Sequence, residues 1–173
     1  MLNIDKEIIA KAKEGERKAM GEIYVFYKDY VLRSAYFILG KHDEAEDVME
    51  NVFFKVFTKI HTFNMEKDFK PWLSRIILNE SRNLYHRRKA IYDNADLLMD
   101  QISEKESSPE LRLDLKKHLS QMDYESKELI MMRFYQDLTL EEIARIKRIT
   151  INNVKVRIHR ALKKLKEFVK IDA

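Results

Sequence analysis

The chain has 173 residues, 45% of them hydrophobic and 36% charged, which is enough apolar material for one domain or two small ones under a heavily charged surface. The absence of cysteine excludes disulfides and thiolate metal sites. No apolar run approaches the roughly 18 residues that a transmembrane helix requires, and the charged N-terminus lacks a signal-peptide core. We therefore expect a cytoplasmic protein without direct membrane insertion.

Low glycine and proline content predicts an all-α chain, because only 3 Gly and 2 Pro interrupt a sequence rich in helix-forming residues. The net charge of +4 is unevenly distributed. Basic residues outnumber acidic ones by 5 to 1 over 71–90 and by 10 to 4 over 141–173, whereas acidic residues dominate 91–125 by 9 to 4. Two separate basic segments indicate two contacts with polyanions.

Two helices are predicted at the N-terminal end. The first covers 5–14, with Asp5 as its N-cap. The second runs from about Lys18 to Leu39, where apolar and aromatic residues recur every three or four positions. Gly40 is well placed to end it. The many aromatic residues of this helix favour a packed helical core over a ligand pocket.

The third predicted helix begins with an acidic cluster. Asp43 is its expected N-cap, and the following acidic residues complement the helix dipole. His42, Asp43, Glu46 and Asp47 resemble a set of metal ligands, but no second ligand cluster completes the site, so we expect no metal. Asp47 and Glu50 are alternatively a docking face for a basic partner or an ordinary solvated face, and composition does not decide between these two.

A loop, His61–Lys70, leads into a basic helix predicted from Pro71, a favourable first helical residue, to about Lys89. The polar side of this helix shows Arg75, Asn79, Arg82, Asn83, Arg87, Arg88 and Lys89. Aromatic residues beside a basic helix can stack on unpaired bases. Phe63, Phe69 and Trp72 are candidates, although each taken alone is more typical of a core.

An acidic, turn-rich segment, 91–108, separates two predicted domains, 1–90 and 109–173, and we expect it to be a flexible linker. Two further helices are predicted after Pro109. The first is marked by Leu111, Leu115, Leu119 and Met122, and the second by Leu129, Ile130, Met132 and Phe134, ending near Gln136 and Asp137.

The C-terminal region predicts a helix-turn-helix. Thr139 and Glu142 form a capping box for a short helix, and Thr150 can cap the next one after the break at Arg148. The outward face of the second helix carries Asn152, Asn153, Lys155, Arg157, His159 and Arg160. Asn pairs with adenine edges and Arg or Lys with guanine or phosphate, so this face favours DNA binding over an ordinary amphipathic surface helix.

Three segments stand in a fixed order: DEAEDVMENVFFKVF, FKPWLSRIILNESRNLYHRRK, and the region from LSQMDYESKELI to VRIHRALKKL. In this order, over nearly the whole chain, the sequence resembles a bacterial RNA polymerase sigma factor of the extracytoplasmic-function (ECF) type. The resemblance implies a noncatalytic, cofactor-free promoter-specificity subunit. Its implied partners are core RNA polymerase, promoter DNA and an anti-sigma factor.

The resemblance also implies roles for individual residues. Polymerase binding is assigned to Asp47, Glu50 and Phe54. Reading of the single-stranded −10 element is assigned to Phe63, Arg75, Asn79, Arg82, Asn83, Arg87 and Arg88. Reading of the duplex −35 element is assigned to Thr150, Asn152, Asn153, Lys155, Arg157 and Arg160.

Several positions depart from the family pattern, and at one of them Arg148 stands where the turn usually has Gly. A positive φ there would cost an Arg on the order of 1 kcal/mol.

Two other function classes compete with this interpretation. One is a polymerase-independent helix-turn-helix regulator, which would usually dimerise on paired half-sites. The other is a metal-dependent hydrolase built around His42, which lacks a nucleophile–base pair. Loss of polymerase binding on Asp47→Lys would distinguish a sigma factor from both.

Overall fold

The computed structural model describes residues 4–94, 119 and 121–171, with side chains described up to 90 in the first range and up to 167 in the last. These ranges contain seven α-helices and no strand. The prediction of an all-α fold with a C-terminal helix-turn-helix is therefore confirmed. Most of the predicted linker, 91–108, lies outside the described residues, as does most of the helix predicted after Pro109.

The helices are described in chain order. They are α1 (Lys6–Lys13), α2 (Arg17–Leu39), α3 (His42–Lys59), α4 (Phe69–Asn94), α5 (Tyr124–Ile130), α6 (Leu140–Lys147) and α7 (Ile151–Ile171). A 3₁₀ turn at Ile60–Thr62 follows α3, and a π-helical turn at Met131–Tyr135 follows α5.

The N-terminal half packs α2 against α3 and α4, with α1 across one end of α2. Apolar residues at helical spacing face this core, and they include Ile23, Tyr27, Val31, Val52, Val56, Leu73 and Ile77, all of which are fully buried. Burying one such aliphatic side chain is worth about 1.5–3 kcal/mol, so the core holds α3 and α4 at fixed positions beside α2.

Local capping signals mark several of the predicted helix ends correctly. Asp5 accepts a hydrogen bond from the Glu7 N–H (2.9 Å), and Gly40 closes α2 with a φ of 76°, a conformation that glycine adopts without strain. The N-cap predicted at Asp43 is wrong, because α3 already begins at His42 and its N-cap is Lys41. Asp43 lies in the first turn instead, where its charge complements the helix dipole.

Helix α4 is longer than its pattern predicts. It begins at Phe69 rather than Pro71 and continues to Asn94, past the expected end at Lys89. A proline is tolerated in the first turn because the backbone N–H that it lacks would have no partner within the helix. The basic residues of the predicted polar side thus lie within one continuous helix.

The end of α5 differs from the predicted continuous helix. The Gln136 N–H donates to the Met131 carbonyl oxygen (2.8 Å), which is the wide π-type turn. This turn changes the direction of the following side chains, so Phe134 is 58% exposed although i, i+4 helical spacing places it on the same face as the buried Ile130.

Candidate nucleic-acid interfaces

The helix-turn-helix is built from local signals that the structure confirms. The Glu142 N–H donates to Thr139 Oγ1 (3.2 Å) and the Thr139 N–H donates to Glu142 Oε2 (2.7 Å), which completes the capping box of α6. The Asn153 N–H donates to Thr150 Oγ1 (3.2 Å), so Thr150 caps α7. These bonds fix where both helices begin.

The turn between α6 and α7 passes through Arg148, whose φ of 56° and ψ of 45° lie in the left-handed region. Replacement by glycine is expected to raise the free energy of unfolding by up to about 1 kcal/mol, because glycine adopts this conformation without a Cβ clash. Urea unfolding followed by circular dichroism measures the change.

The matched control is Arg148→Ala, which removes the same side chain but retains the Cβ atom. If the alanine variant gains as much stability as the glycine variant, backbone strain at this turn is not the cause.

The −35 candidates lie on or directly before α7. The inward face of α7 is formed by Val154, Ile158 and Ala161, which are buried. Thr150, Asn152, Asn153, Lys155 and Arg160 are exposed, and Arg157 is half-buried. Because α7 buries one face and leaves its polar face open from its first turn, it has the form required to enter a major groove.

Two of these candidates are already engaged within the chain. Arg157 Nε donates to Asn153 Oδ1 (3.0 Å), and the Arg157 guanidinium also forms an ion pair with Glu125 of α5. Glu125 was not identified from the sequence. It lies in the first turn of α5, 32 residues before Arg157, so no local sequence signal pointed to the pair.

A second polar surface runs along α4. Arg75, Asn79, Asn83 and Arg87 are exposed and follow one another at four-residue spacing, close to the helical repeat of about 3.6 residues. We call these four residues the basic stripe. It has the charge and hydrogen-bonding groups to follow a single-stranded nucleic-acid backbone.

Phe63 is not part of this surface. Its side chain is only 3% exposed, and its ring packs against Phe69 (5.4 Å between centroids) and Trp72 (5.4 Å). The prediction that Phe63 contacts a base is therefore corrected. Its ring stabilises the core where α4 begins and offers no face to a base.

Arg82 and Arg88 are not counted in the basic stripe, because each side chain is engaged in an ion pair. Arg88 Nη1 contacts both carboxylate oxygens of Glu44 on α3 (3.1 and 2.9 Å). Arg82 Nη2 contacts both oxygens of Glu128 on α5 (2.8 and 2.9 Å). Glu128 has no exposed side-chain surface and also pairs with Lys147.

Further contacts join the two halves. The ring of Tyr30 stacks on that of Tyr135 (6.1 Å between centroids), and the ring of Tyr85 packs on that of Tyr124 (4.5 Å). Gln136 Nε2 donates to Ser34 Oγ (3.1 Å), and both of these side chains are buried. Arg82 is thus held at a contact between the N-terminal and C-terminal halves.

A third surface of different character lies on α3. Asp47, Glu50 and Phe54 are exposed and share one face of the helix at spacings of three and four residues. Phe54 is 69% exposed, which is unusual for so large an apolar side chain. We call these three residues the acidic–aromatic stripe. Its composition suits a protein partner that offers basic and apolar groups.

The predicted metal-like cluster is only partly assembled. His42, Asp43 and Glu46 place possible ligand atoms within 4.8 Å of one another, and all three residues are exposed. His42 Nδ1 lies 3.4 Å from Glu46 Oε1, an i, i+4 pair that also occurs on ordinary helix surfaces. Asp47 is not part of the group. Separately, no helix within the described ranges is long and apolar enough to cross a membrane.

Comparisons with known proteins match both halves. The family model described as Sigma-70 region 2 matches residues 23–91, and that described as Sigma-70, region 4 matches residues 118–167. The chain is 25% identical to the ECF RNA polymerase sigma factor SigW of Bacillus subtilis, over 94% of this chain and 95% of SigW. It is 27% identical to the RNA polymerase sigma factor SigV of the same organism, over 88% of this chain and 92% of SigV.

A solved structure agrees with these matches. The sigma factor RpoE of Bartonella quintana, crystallised with the anti-sigma factor NepR, superposes with a TM-score of 0.77 at 25% identity, covering 90% of this chain and 99% of RpoE. The two family models together account for more than half of this chain, in the order that the sequence resemblance implies. The chain belongs to the extracytoplasmic-function family of RNA polymerase sigma factors, the subunits that direct transcription initiation at promoters.

Proposed function

We propose that this sigma factor uses three surfaces for three tasks. The acidic–aromatic stripe of α3 binds core RNA polymerase, the basic stripe of α4 contacts the −10 element as separated single strand, and α7 reads the −35 element as duplex. The observation that carries this proposal is the placement of these surfaces on three different helices, each exposed and each with its own charge and chemistry.

The chemistry of each surface supports its task. Recognition of a single strand needs a basic track with hydrogen-bonding groups, which the two Arg and two Asn side chains of the basic stripe supply. Recognition of a duplex needs a narrow helix with polar side chains near its N-terminus, which Asn152 and Lys155 supply on α7. The two DNA-reading tasks are divided between the halves. Residues 1–90 contact the −10 element, and residues 109–173 read the −35 element. Because both halves are attached to one polymerase, each contact raises the effective concentration of the other.

Arg82 and Arg88 take part in −10 recognition only after a change of partners. Arg82 is paired with Glu128 of the other half, so separation of the halves releases it toward the promoter strand. Arg88 remains beside Glu44 within the N-terminal half and serves to hold α3 and α4 together. The direct contribution of Arg88 to DNA binding is therefore smaller than that of Arg87.

An anti-sigma factor is proposed as the regulatory partner, supported by the RpoE–NepR complex among the similar structures. Such a partner would inhibit by covering the acidic–aromatic stripe, the surface that binds core polymerase. The protein acts in the cytoplasm, where core polymerase and promoters are found, and carries out no chemical step of its own.

Run-off transcription tests the proposal directly. Core RNA polymerase is assayed with and without the full chain on a fragment library from its own genome. The expected result is a set of new start sites preceded by two shared sequence elements, lost with Asp47→Lys. Tight binding to duplex DNA without polymerase binding or new start sites would instead favour a polymerase-independent regulator.

A further inference from the structure

Val156 lies on the outward face of α7, opposite the buried Val154, Ile158 and Ala161. Its side chain is 40% exposed, which is high for a valine in the middle of a helix. Asn152 precedes it by four residues, so these two side chains follow one another along the same outward ridge.

The surroundings of Val156 on this ridge are polar and basic. The exposed neighbours are Asn152, Lys155, His159 and Arg160. A β-branched residue adds little to helix stability, and a side chain that remains this exposed gains little from burial. The free protein therefore derives little stability from an apolar group at this position, and the group is placed to be covered by a ligand of the helix.

The side chains that flank the ridge are less available for contacts with DNA than the ridge itself. The Arg157 guanidinium is engaged by Glu125 and by Asn153 Oδ1, on one side of α7. The Asn152 amide makes no hydrogen bond to another described side chain or backbone group, and it is exposed. The ridge formed by Asn152 and Val156 is thus ready to meet base edges without first breaking internal contacts.

This inference rests on the proposed reading of the −35 element by α7. We propose that Val156 is a specificity-determining residue that covers the C5-methyl group of a thymine in the −35 element, next to an adenine read by Asn152. The thymine methyl is the apolar group that the major groove presents, and small apolar side chains contact it, whereas an Asn amide pairs with adenine N6 and N7. The −35 element therefore contains an A/T-specific position that no charged residue of α7 reads.

The test removes the apolar groups from each side of the contact: the C5-methyl group of thymine and the two γ-methyl groups of Val156. Holoenzyme is assembled from core polymerase and the full chain, and its affinity is measured on promoters found by run-off transcription. Each −35 thymine is replaced singly by deoxyuridine, which lacks only the C5-methyl group. We expect one such replacement to weaken binding about fivefold, the effect of removing a methyl group from an apolar contact. Val156→Ala withdraws both γ-methyl groups from the groove while the helix stays at the same distance, so the thymine and deoxyuridine promoters are expected to bind this variant equally.

Ile151→Ala is the matched control. Ile151 is equally exposed (39%) on the same helix, but it lies to the side of the ridge, so this variant is expected to keep the deoxyuridine effect. The inference is overturned if no deoxyuridine position affects the wild-type holoenzyme, or if Val156→Ala remains sensitive. Either outcome leaves promoter-specific initiation intact, whereas absence of specific start sites refutes the proposed function itself.

Discussion

Replacement of Glu128 by alanine is expected to lower the free energy of unfolding by about 3 kcal/mol, because it removes one member of a buried ion-pair network. The Glu128 carboxylate is fully buried between Arg82 of α4 and Lys147 of α6. Without it, two cations face each other at the contact between the halves. The Arg82 side chain is 40% exposed and retains some hydration, so the expected loss lies at the low end for such networks.

Urea unfolding of the full chain measures this loss, and Glu46→Ala serves as the matched control. Glu46 is a helical glutamate of α3 whose side chain is 54% exposed, so its removal is expected to change stability by less than about 0.5 kcal/mol. The Glu128 variant is also expected to show a larger radius in small-angle scattering, since Arg82 no longer ties α4 to α5. Equal stability of the two variants would show that the buried carboxylate contributes no net stability.

Replacement of Phe54 by alanine is expected to weaken binding to core RNA polymerase about 30-fold, which corresponds to a loss of about 2 kcal/mol. The reason is that Phe54 is the large apolar group of the acidic–aromatic stripe and is 69% exposed in the free chain. Exposed aromatic side chains flanked by charges are frequent energetic centres of protein interfaces. The dissociation constant of the complex with core polymerase, measured by a titration at fixed salt, gives the change.

Phe26→Ala controls for the loss of an exposed aromatic ring. Phe26 is 41% exposed on α2, beside a groove with α1 and outside the acidic–aromatic stripe. This variant is expected to bind polymerase as the wild type does. Both variants should retain the thermal unfolding midpoint within a few degrees, because neither ring is buried. An unchanged dissociation constant for Phe54→Ala would remove this residue from the proposed docking surface.

Features that depend on neighbouring residues were predicted well from sequence. The capping box of Thr139 and Glu142, the cap at Thr150 and the end of α2 at Gly40 all follow from hydrogen bonds or backbone conformations within one turn of chain. The cap predicted at Asp43 was wrong because the local signals at this helix start are ambiguous. Several acidic residues follow one another there, and any of them complements the helix dipole, so the pattern does not specify the first residue of α3.

The proposed contact residues were predicted less evenly. Periodicity correctly separated the basic stripe of α4 from its buried side, but the family resemblance also assigned a base-contacting role to Phe63, whose ring is packed in the core. Periodicity treated Arg82 as one more surface cation, although its partner Glu128 lies 46 residues further along the chain. An acidic residue on the same helical stripe as Tyr124 and Met132 was the one available signal for that partner.

The sequence by itself determined the helical class, the helix-turn-helix and the order of the two family segments, because these depend on composition, periodicity and local caps. The tertiary structure alone decided which charges are free and which are engaged. Arg82 and Arg157 are alike in sequence terms to the exposed Arg75, yet both are paired with carboxylates of α5. Such pairing depends on how distant helices pack, since a charge is satisfied by whichever group the fold brings within hydrogen-bonding distance.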